Sequence, residues 1–189
     1  MEILQDIANA VKVLRGGGLI LYPTDTIWGI GCDATNLEAV KRLFSLKKRP
    51  GAKAMISLVD SISTLTKWVE FIPENAKAEI RNNPGLPLTI IYDSPHGIAI
   101  PLLAEDKSAA FRITEHYFSK KLCSGLGKPI VSTSSNFSGD NPAGSFREIK
   151  EDIINGVDYV CQSERDKNSN SPSRILKITN DELKTIIRD

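Results

Sequence analysis

The stretch Leu46-Lys47-Lys48-Arg49-Pro50-Gly51-Ala52-Lys53 joins a predicted helix to a predicted strand. Apolar residues recur every three or four positions before it, which predicts a helix, and the Pro-Gly pair ends that helix. The apolar residues from Ala54 to Val59 predict the strand that follows. Four cations in seven positions therefore lie at a helix end and in the loop beyond it. A helix that returns to a strand across a short loop is typical of an α/β protein.

These cations have two interpretations that the segment alone leaves open. Lys and Arg in a last helical turn complement the helix dipole, which is a common surface feature. Alternatively, the segment forms an anion site in which Arg49 binds a planar oxyanion and the lysines act as point charges. The net charge of the chain is only +1, so any positive site must be local.

Length and composition predict one domain that spans residues 1–189. The hydrophobic residues make up 41% and the charged residues 25%, as in ordinary globular proteins with a substantial core. Cys32, Cys123 and Cys161 are far apart and odd in number, which favours a reducing compartment over a disulfide framework. The acidic N-terminal segment and the lack of a long apolar run favour a cytoplasmic protein without membrane contact.

Helical and strand-like segments alternate irregularly along the chain. Apolar spacing predicts a first helix that ends at Gly16, and capping boxes at Thr35/Glu38 and Ser145/Glu148 predict two helix starts. Short apolar runs predict strands, among them residues 19–22, 88–92, 109–113, 130–133 and 174–178. This order predicts an α/β fold with a twisted, mixed-direction sheet flanked by helices and an open cationic pocket.

Several familiar kinds of catalytic site lack their residues here. The chain has two histidines and neither an H-E-x-x-H nor a G-x-S-x-G motif, which argues against zinc-protease and α/β-hydrolase sites. The run from Gly29 to Ala34 matches G-x-G-x-x-A, but four residues separate it from the preceding strand, so a Rossmann cofactor site is not expected.

Short polar residues follow two predicted strands, in Pro23–Thr26 and in the run from Ser132 to Asn136. Each run alone is explained by turn chemistry, because these side chains hydrogen-bond their own backbone in loops. Together with Lys47, Arg49, Lys53 and Arg112, they predict a pocket for a polyanion and a small polar molecule. Such a pocket suits nucleotidyl transfer, where positioning and charge neutralisation supply most of the catalysis.

Four motifs, in order, resemble those of the YrdC family of threonylcarbamoyl-adenylate synthases. They are Pro23–Gly31, Lys47–Pro50, Pro84–Thr89 and Ser134–Gly139, and the similarity runs from about Gly18 to Arg188. The resemblance implies a short, single-domain enzyme that makes threonylcarbamoyl-AMP and pyrophosphate from L-threonine, bicarbonate and ATP. It also implies a downstream complex that transfers the threonylcarbamoyl group to tRNA, with direct tRNA contact as a possibility.

The resemblance also implies roles for individual residues. The Lys-x-Arg and Ser-x-Asn pairs of the family fall on the four expected catalytic residues, Lys47, Arg49, Ser134 and Asn136. ATP is expected to contact Arg49, Lys53, Ser108, Ser134 and Arg188. Threonine is expected to contact Thr26, Arg112, Ser132 and Ser173. Magnesium is expected to be held mainly by the ATP phosphates, without a dedicated protein site.

Some positions depart from the family pattern, and two alternative functions remain open. Trp28 stands where the family usually has Tyr, and Arg174 replaces a usual Thr next to Ser173. One alternative is a non-enzymatic RNA-binding module, because a cationic concavity also suits a phosphate backbone. The other is a carbamoyltransferase module that uses carbamoyl phosphate, as in hydrogenase-maturation proteins of similar domain type.

Overall fold

The computed structural model describes residues 2–48, 55–167 and 172–189. Arg49, Lys53 and Ala54, for which the sequence made predictions, lie outside the described residues. The helices are α1 (Ile3–Arg15), α2 (Leu37–Leu46), α3 (Ile62–Leu65), α4 (Glu74–Asn82), α5 (Tyr117–Leu126) and α6 (Glu151–Asn155). The strands are β1 (Ile20–Tyr22), β2 (Gly29–Gly31), β3 (Ile56–Val59), β4 (Leu88–Tyr92), β5 (Ala109–Ile113), β6 (Ile130–Ser134), β7 (Tyr159–Val160), β8 (Arg174–Ile178) and β9 (Lys184–Arg188).

The strands form one sheet of mixed direction, in the order β7-β1-β2-β6-β3-β5-β4-β8-β9. The pairs β1–β7, β3–β5 and β4–β8 are parallel, and the remaining neighbours are antiparallel. The predicted α/β fold with a mixed sheet flanked by helices is therefore confirmed.

Two hydrophobic cores cover parts of the sheet. The larger core packs α1, α2 and α5 against β1, β2 and β6, and the smaller one packs α3 and α4 against β4, β5 and β8. Leu58 belongs to the larger core and its neighbour Val59 to the smaller one, so the two cores lie on opposite faces at β3. On β5 the side chains of Ala109 and Phe111 enter the smaller core, which turns Arg112 to the other face.

The predicted capping box at Thr35 was wrong, and the one at Ser145 marks the start of a 3₁₀ turn but not of an α-helix. The side chain of Asn36 caps α2 by accepting a hydrogen bond from the Ala39 amide at 3.0 Å, whereas the Thr35 hydroxyl donates to Asp33 at 2.7 Å. Asn36 is therefore the better-placed N-cap. The Ser145 hydroxyl does donate to Glu148 at 3.0 Å, but only one 3₁₀ turn (Phe146–Glu148) follows, and α6 begins at Glu151.

Gly31 on β2 lets the backbone of β2 lie close to Val131 on β6 and to the ring of Tyr22 on β1. A Cβ atom there would lie 2.5 Å from the Val131 carbonyl oxygen and 2.7 Å from a ring carbon of Tyr22. Tyr22 is fully buried, and Val131 lies on the strand that carries the candidate site. The sheet can therefore accept a larger residue at this position only if β1 or β6 moves.

We expect Gly31→Ala to lower the free energy of unfolding by about 2 kcal/mol, because the new methyl group overpacks a rigid core. Gly16→Ala is the control, since its φ is −78° and its nearest atom would lie at an ordinary 3.4 Å. Urea denaturation of both variants measures the difference. Equal stability of the two variants would contradict the close approach at Gly31.

Candidate active site

A cavity of about 290 Å³ opens on the face of the sheet opposite the smaller core. Its lining contains two guanidinium groups, several hydroxyl groups and an apolar floor. The residues are Thr26, Ile27, Gly29, Met55, Ile56, Arg112, Ser132, Thr133, Ser134, Pro142, Pro172, Ser173, Ile175 and Arg188. The structure thus brings together six residues predicted from the sequence: Thr26, Arg112, Ser132, Ser134, Ser173 and Arg188.

Strand alternation explains why residues far apart in sequence meet in this cavity. Ser132 pairs with Ile56, and Ser134 lies two residues farther along β6, so both serines face the same side of the sheet. Farther across the sheet, the register places Arg112 beside Thr89, Thr89 beside Ile175, and Ile175 beside Arg188. This row carries two guanidinium groups onto one face from strands that are three positions apart.

Arg112 is 3% exposed and is only partly paired. Its Nη2 atom lies 3.1 Å from Oδ1 of Asp25, close enough for an ion pair. Within the described residues, however, neither the Asp25 Oδ1 atom nor the Arg112 Nε atom makes a hydrogen bond. The charges therefore attract each other in a geometry that leaves a buried N–H donor unused. A buried donor without a protein partner is costly unless a water molecule or a ligand completes it.

Arg188 brings a second positive charge to the cavity from the last strand. Its Nε donates to the Ser173 carbonyl at 2.8 Å and its Nη2 to the Ser173 hydroxyl at 3.1 Å. The Ser173 hydroxyl also lies 2.9 Å from the Thr89 hydroxyl. Partial burial and the nearby charge of Arg112 both lower the pKa of Arg188. A bound anion would relieve this repulsion, so the site favours an anionic ligand.

Hydroxyl groups line the rest of the polar wall. The Thr26 hydroxyl lies 3.1 Å from that of Thr24, which itself donates to the Ile27 carbonyl at 2.7 Å. Ser132 and Ser134 add two further hydroxyls from β6. These neutral groups can donate to or accept from a ligand without adding charge. The arrangement suits a ligand that carries both anionic and polar neutral groups.

Lys47 and Asn136 do not line the cavity. They bind backbone carbonyl groups at and after Ser134, which does line it. The ammonium group of Lys47, which is 1% exposed, donates to the carbonyl oxygens of Ser134 and Asn136, the second at 2.6 Å. The Asn136 amide donates to the carbonyls of Phe137 and Asp140 at 3.0 and 2.7 Å. Both side chains hold the loop that follows β6, and their catalytic role stays a prediction.

The other predicted site residues fall into two groups. Arg49 and Lys53 lie outside the described residues. Ser108 is buried away from the cavity, where its hydroxyl donates to Asp106 at 2.6 Å, so its contact with ATP stays a prediction.

Thr89 was not predicted from the sequence as a site residue, because its position indicated only part of a strand. In the structure the Thr89 hydroxyl contacts that of Ser173. The signal in the sequence was the alternation along this strand: Ile90 packs in the smaller core, so its neighbour Thr89 faces the other side of the sheet.

Comparison of the chain with known proteins identifies its family. Residues 12–189 match the family model Sua5_yciO_yrdC, whose description reads "Telomere recombination". The chain belongs to this family. A protein from Pseudoalteromonas translucida (strain TAC 125) named threonylcarbamoyl-AMP synthase is 35% identical over 176 residues, which covers 92% of this chain and 94% of that protein.

Solved structures share the fold of this Sua5/YciO/YrdC family member. The chain is similar to P. abyssi Sua5, solved as its H234A/Y235A variant, with a TM-score of 0.88 and 25% identity. The match covers all of this chain and 57% of the Sua5 chain. Escherichia coli YciO gives a TM-score of 0.84 at 24% identity, over all of this chain and 90% of YciO. Among the helices of the described ranges, none is long and apolar enough to cross a membrane.

We expect Lys47→Met to lower the free energy of unfolding by about 3 kcal/mol, because the partly buried carbonyl oxygens of Ser134 and Asn136 lose a charged donor. Lys41→Met is the matched control within α2, the helix that Lys47 follows, and Lys41 forms an exposed pair with Glu38. That pair contributes under about 1 kcal/mol. Urea denaturation of the two variants separates these effects. A Lys47 variant as stable as the control would contradict the anchoring role.

Proposed function

We propose that this chain is a nucleotidyltransferase that makes threonylcarbamoyl-AMP and pyrophosphate from L-threonine, bicarbonate and ATP, for the threonylcarbamoyladenosine modification of tRNA. The observation that carries this proposal is the cavity in which the buried, half-paired Arg112 meets Arg188 among hydroxyl groups. The name of the relative from Pseudoalteromonas translucida supports the same assignment.

Arg112 is the group that we assign to the carboxylate of threonine. A guanidinium binds a carboxylate through two parallel hydrogen bonds, and the unused Nε donor of Arg112 can supply one of them. Thr26, Ser132 and Ser173 are then the nearby hydroxyls that fix the rest of the amino acid. In this assignment Asp25 keeps Arg112 in place before threonine arrives.

ATP is assigned to Ser134 on β6 and Arg188 on β9, which both line the cavity, with Arg49 and Lys53 as predicted further contacts. The amine of L-threonine first combines with bicarbonate to give the carbamate N-carboxy-threonine, with loss of water. A carboxylate oxygen of this carbamate then bonds to the α-phosphorus while the bond to the bridging oxygen of the β-phosphate breaks. Pyrophosphate leaves with the electron pair of that bond. Because the nucleophile is already an anion, the cationic groups contribute by neutralising charge and aligning the two anions.

Magnesium enters this proposal with ATP. Within the described residues no three His, Cys, Asp or Glu side chains cluster in a way that could hold a metal ion. The cavity lining offers neutral hydroxyl oxygens of Thr26, Ser132 and Ser134 in place of carboxylates. This fits a Mg²⁺ ion that keeps several waters and is held mainly by phosphates. When bound, the ion would neutralise phosphate charge.

The location of the enzyme is proposed from its cysteines, and its downstream partner from the chemistry of its product. Cys32, Cys123 and Cys161 are free and buried, as is usual for proteins of a reducing compartment, and we place the enzyme in the cytoplasm. Threonylcarbamoyl-AMP is a mixed anhydride and therefore a reactive acyl donor. A downstream complex that transfers the threonylcarbamoyl group to tRNA is the expected consumer of this product.

We expect the purified protein to release pyrophosphate from ATP and Mg²⁺ only when both L-threonine and bicarbonate are present. Coupled detection of pyrophosphate and mass spectrometry of threonylcarbamoyl-AMP measure the reaction. Serine in place of threonine is the specificity control, and carbamoyl phosphate in place of bicarbonate tests the carbamoyltransferase alternative. Equal release with serine or without an amino acid would contradict the threonine assignment, and absence of release would contradict catalysis.

We expect Arg112→Lys to raise the KM for threonine at least tenfold, because lysine keeps the charge but loses the two parallel hydrogen bonds. The KM for ATP should change much less. Arg42→Lys is the matched control, since Arg42 forms an exposed pair with Asp158 away from the cavity. An unchanged KM for threonine in the Arg112 variant would remove Arg112 from carboxylate binding.

A further inference from the structure

The last strand contains a one-residue bulge directly before Arg188. The antiparallel ladder between β8 and β9 pairs Ile178 with Lys184, Lys177 with Thr185, and Leu176 with Ile186. The next pair joins Ile175 to Arg188, so Ile187 has no partner on β8. One extra residue on an antiparallel strand is the definition of a β-bulge, and such bulges redirect the side chains that follow them.

The bulge decides which face of the sheet Arg188 occupies. In a regular ladder Ile187 would pair with Ile175, and Arg188 would pair with Arg174 on the opposite face. Arg188 would then lie beside another guanidinium and away from the cavity. With the bulge, Arg188 shares the face of Ile175, which lines the cavity, and reaches Ser173.

An ion-pair network on the opposite face holds the end of the strand in this register. Arg174 Nε donates to the Asp189 carboxylate at 2.7 Å, and its Nη1 lies 3.3 Å from Glu79 on α4. Lys184, at the other end of β9, also pairs with Glu79. With the bulge, Asp189 takes the position opposite Arg174 that Arg188 would occupy in a regular ladder. The network thus stabilises the register that points Arg188 into the cavity.

We propose that Arg174 and Asp189 are positioning residues, which act through Arg188 on the anionic ligand while they touch neither that ligand nor the cavity. The identity of the ligand as ATP rests on the proposed function.

The test measures ATP–Mg²⁺ affinity by calorimetry in a mutant cycle of Arg174, Asp189 and Arg188. Arg188→Ala should weaken binding about 30-fold, which corresponds to the loss of a charge-assisted hydrogen bond. Arg174→Thr and Asp189→Asn should each weaken it about three- to fivefold, the scale of an exposed ion pair. In the Arg188→Ala background, neither substitution should weaken binding further.

Three controls separate positioning from general destabilisation. Lys41→Gln removes an exposed charge pair with Glu38 on α2, outside this network, and it should leave ATP affinity unchanged. Arg174→Lys keeps the charge and should restore most of the affinity that Arg174→Thr loses. Thermal denaturation should show that all variants are folded at the assay temperature.

Two results would overturn the proposal. One is an affinity loss in Arg174→Thr that persists in the Arg188→Ala background, because the residue would then act by another route. The other is an Arg188→Ala variant with unchanged ATP affinity. A wild-type protein that releases pyrophosphate in a threonine-dependent manner would keep the proposed function intact in either case. If the wild type binds no ATP, the proposed function and this inference both fail.

Discussion

The site depends on the incomplete ion pair between the Arg112 guanidinium and Asp25. A buried charge is costly unless it is paired and hydrogen-bonded, and Asp25 supplies the charge at 3.1 Å without completing the hydrogen bonds. The fold therefore holds a buried cation with one unused donor, which the proposed function assigns to the carboxylate of threonine. The smaller hydrophobic core behind β5 fixes that cation in place by burying Phe111 on the opposite face. Strand β5 thus links the packing of the smaller core to the position of Arg112 in the site.

Strand register distributes the remaining functional groups around this cation. Ser132 and Ser134 share a face because they are two residues apart on β6, and Arg188 joins them because a bulge shifts the end of β9 by one residue. Lys47 acts at a distance by binding the carbonyl oxygens of the loop that follows β6. Polar chemistry on this sheet is therefore set by backbone geometry more than by proximity in sequence.

The sequence predicted the parts of this structure that depend on local pattern. The strands at residues 88–92 and 109–113 were predicted with their observed limits, and the cavity gathers most of the hydroxyls and guanidiniums that the motifs indicated. Strands β2, β7 and β9 were missed, because strands of two or three residues, or an exposed edge strand, carry little periodic signal. The contacts of Lys47 could not be predicted, since they join residues almost ninety positions apart. The side of the sheet on which Arg188 lies depends on a bulge that no local pattern encodes.

The most direct test of this account observes the Nε–H group of Arg112 itself. In ¹H–¹⁵N spectra of the arginine side chains, titration with L-threonine should shift the Arg112 Nε–H resonance downfield and slow its exchange with water. The reason is that a buried donor without a partner gains an acceptor. A resonance that stays unchanged while threonine demonstrably binds would contradict the central claim that Arg112 is completed by the ligand's carboxylate.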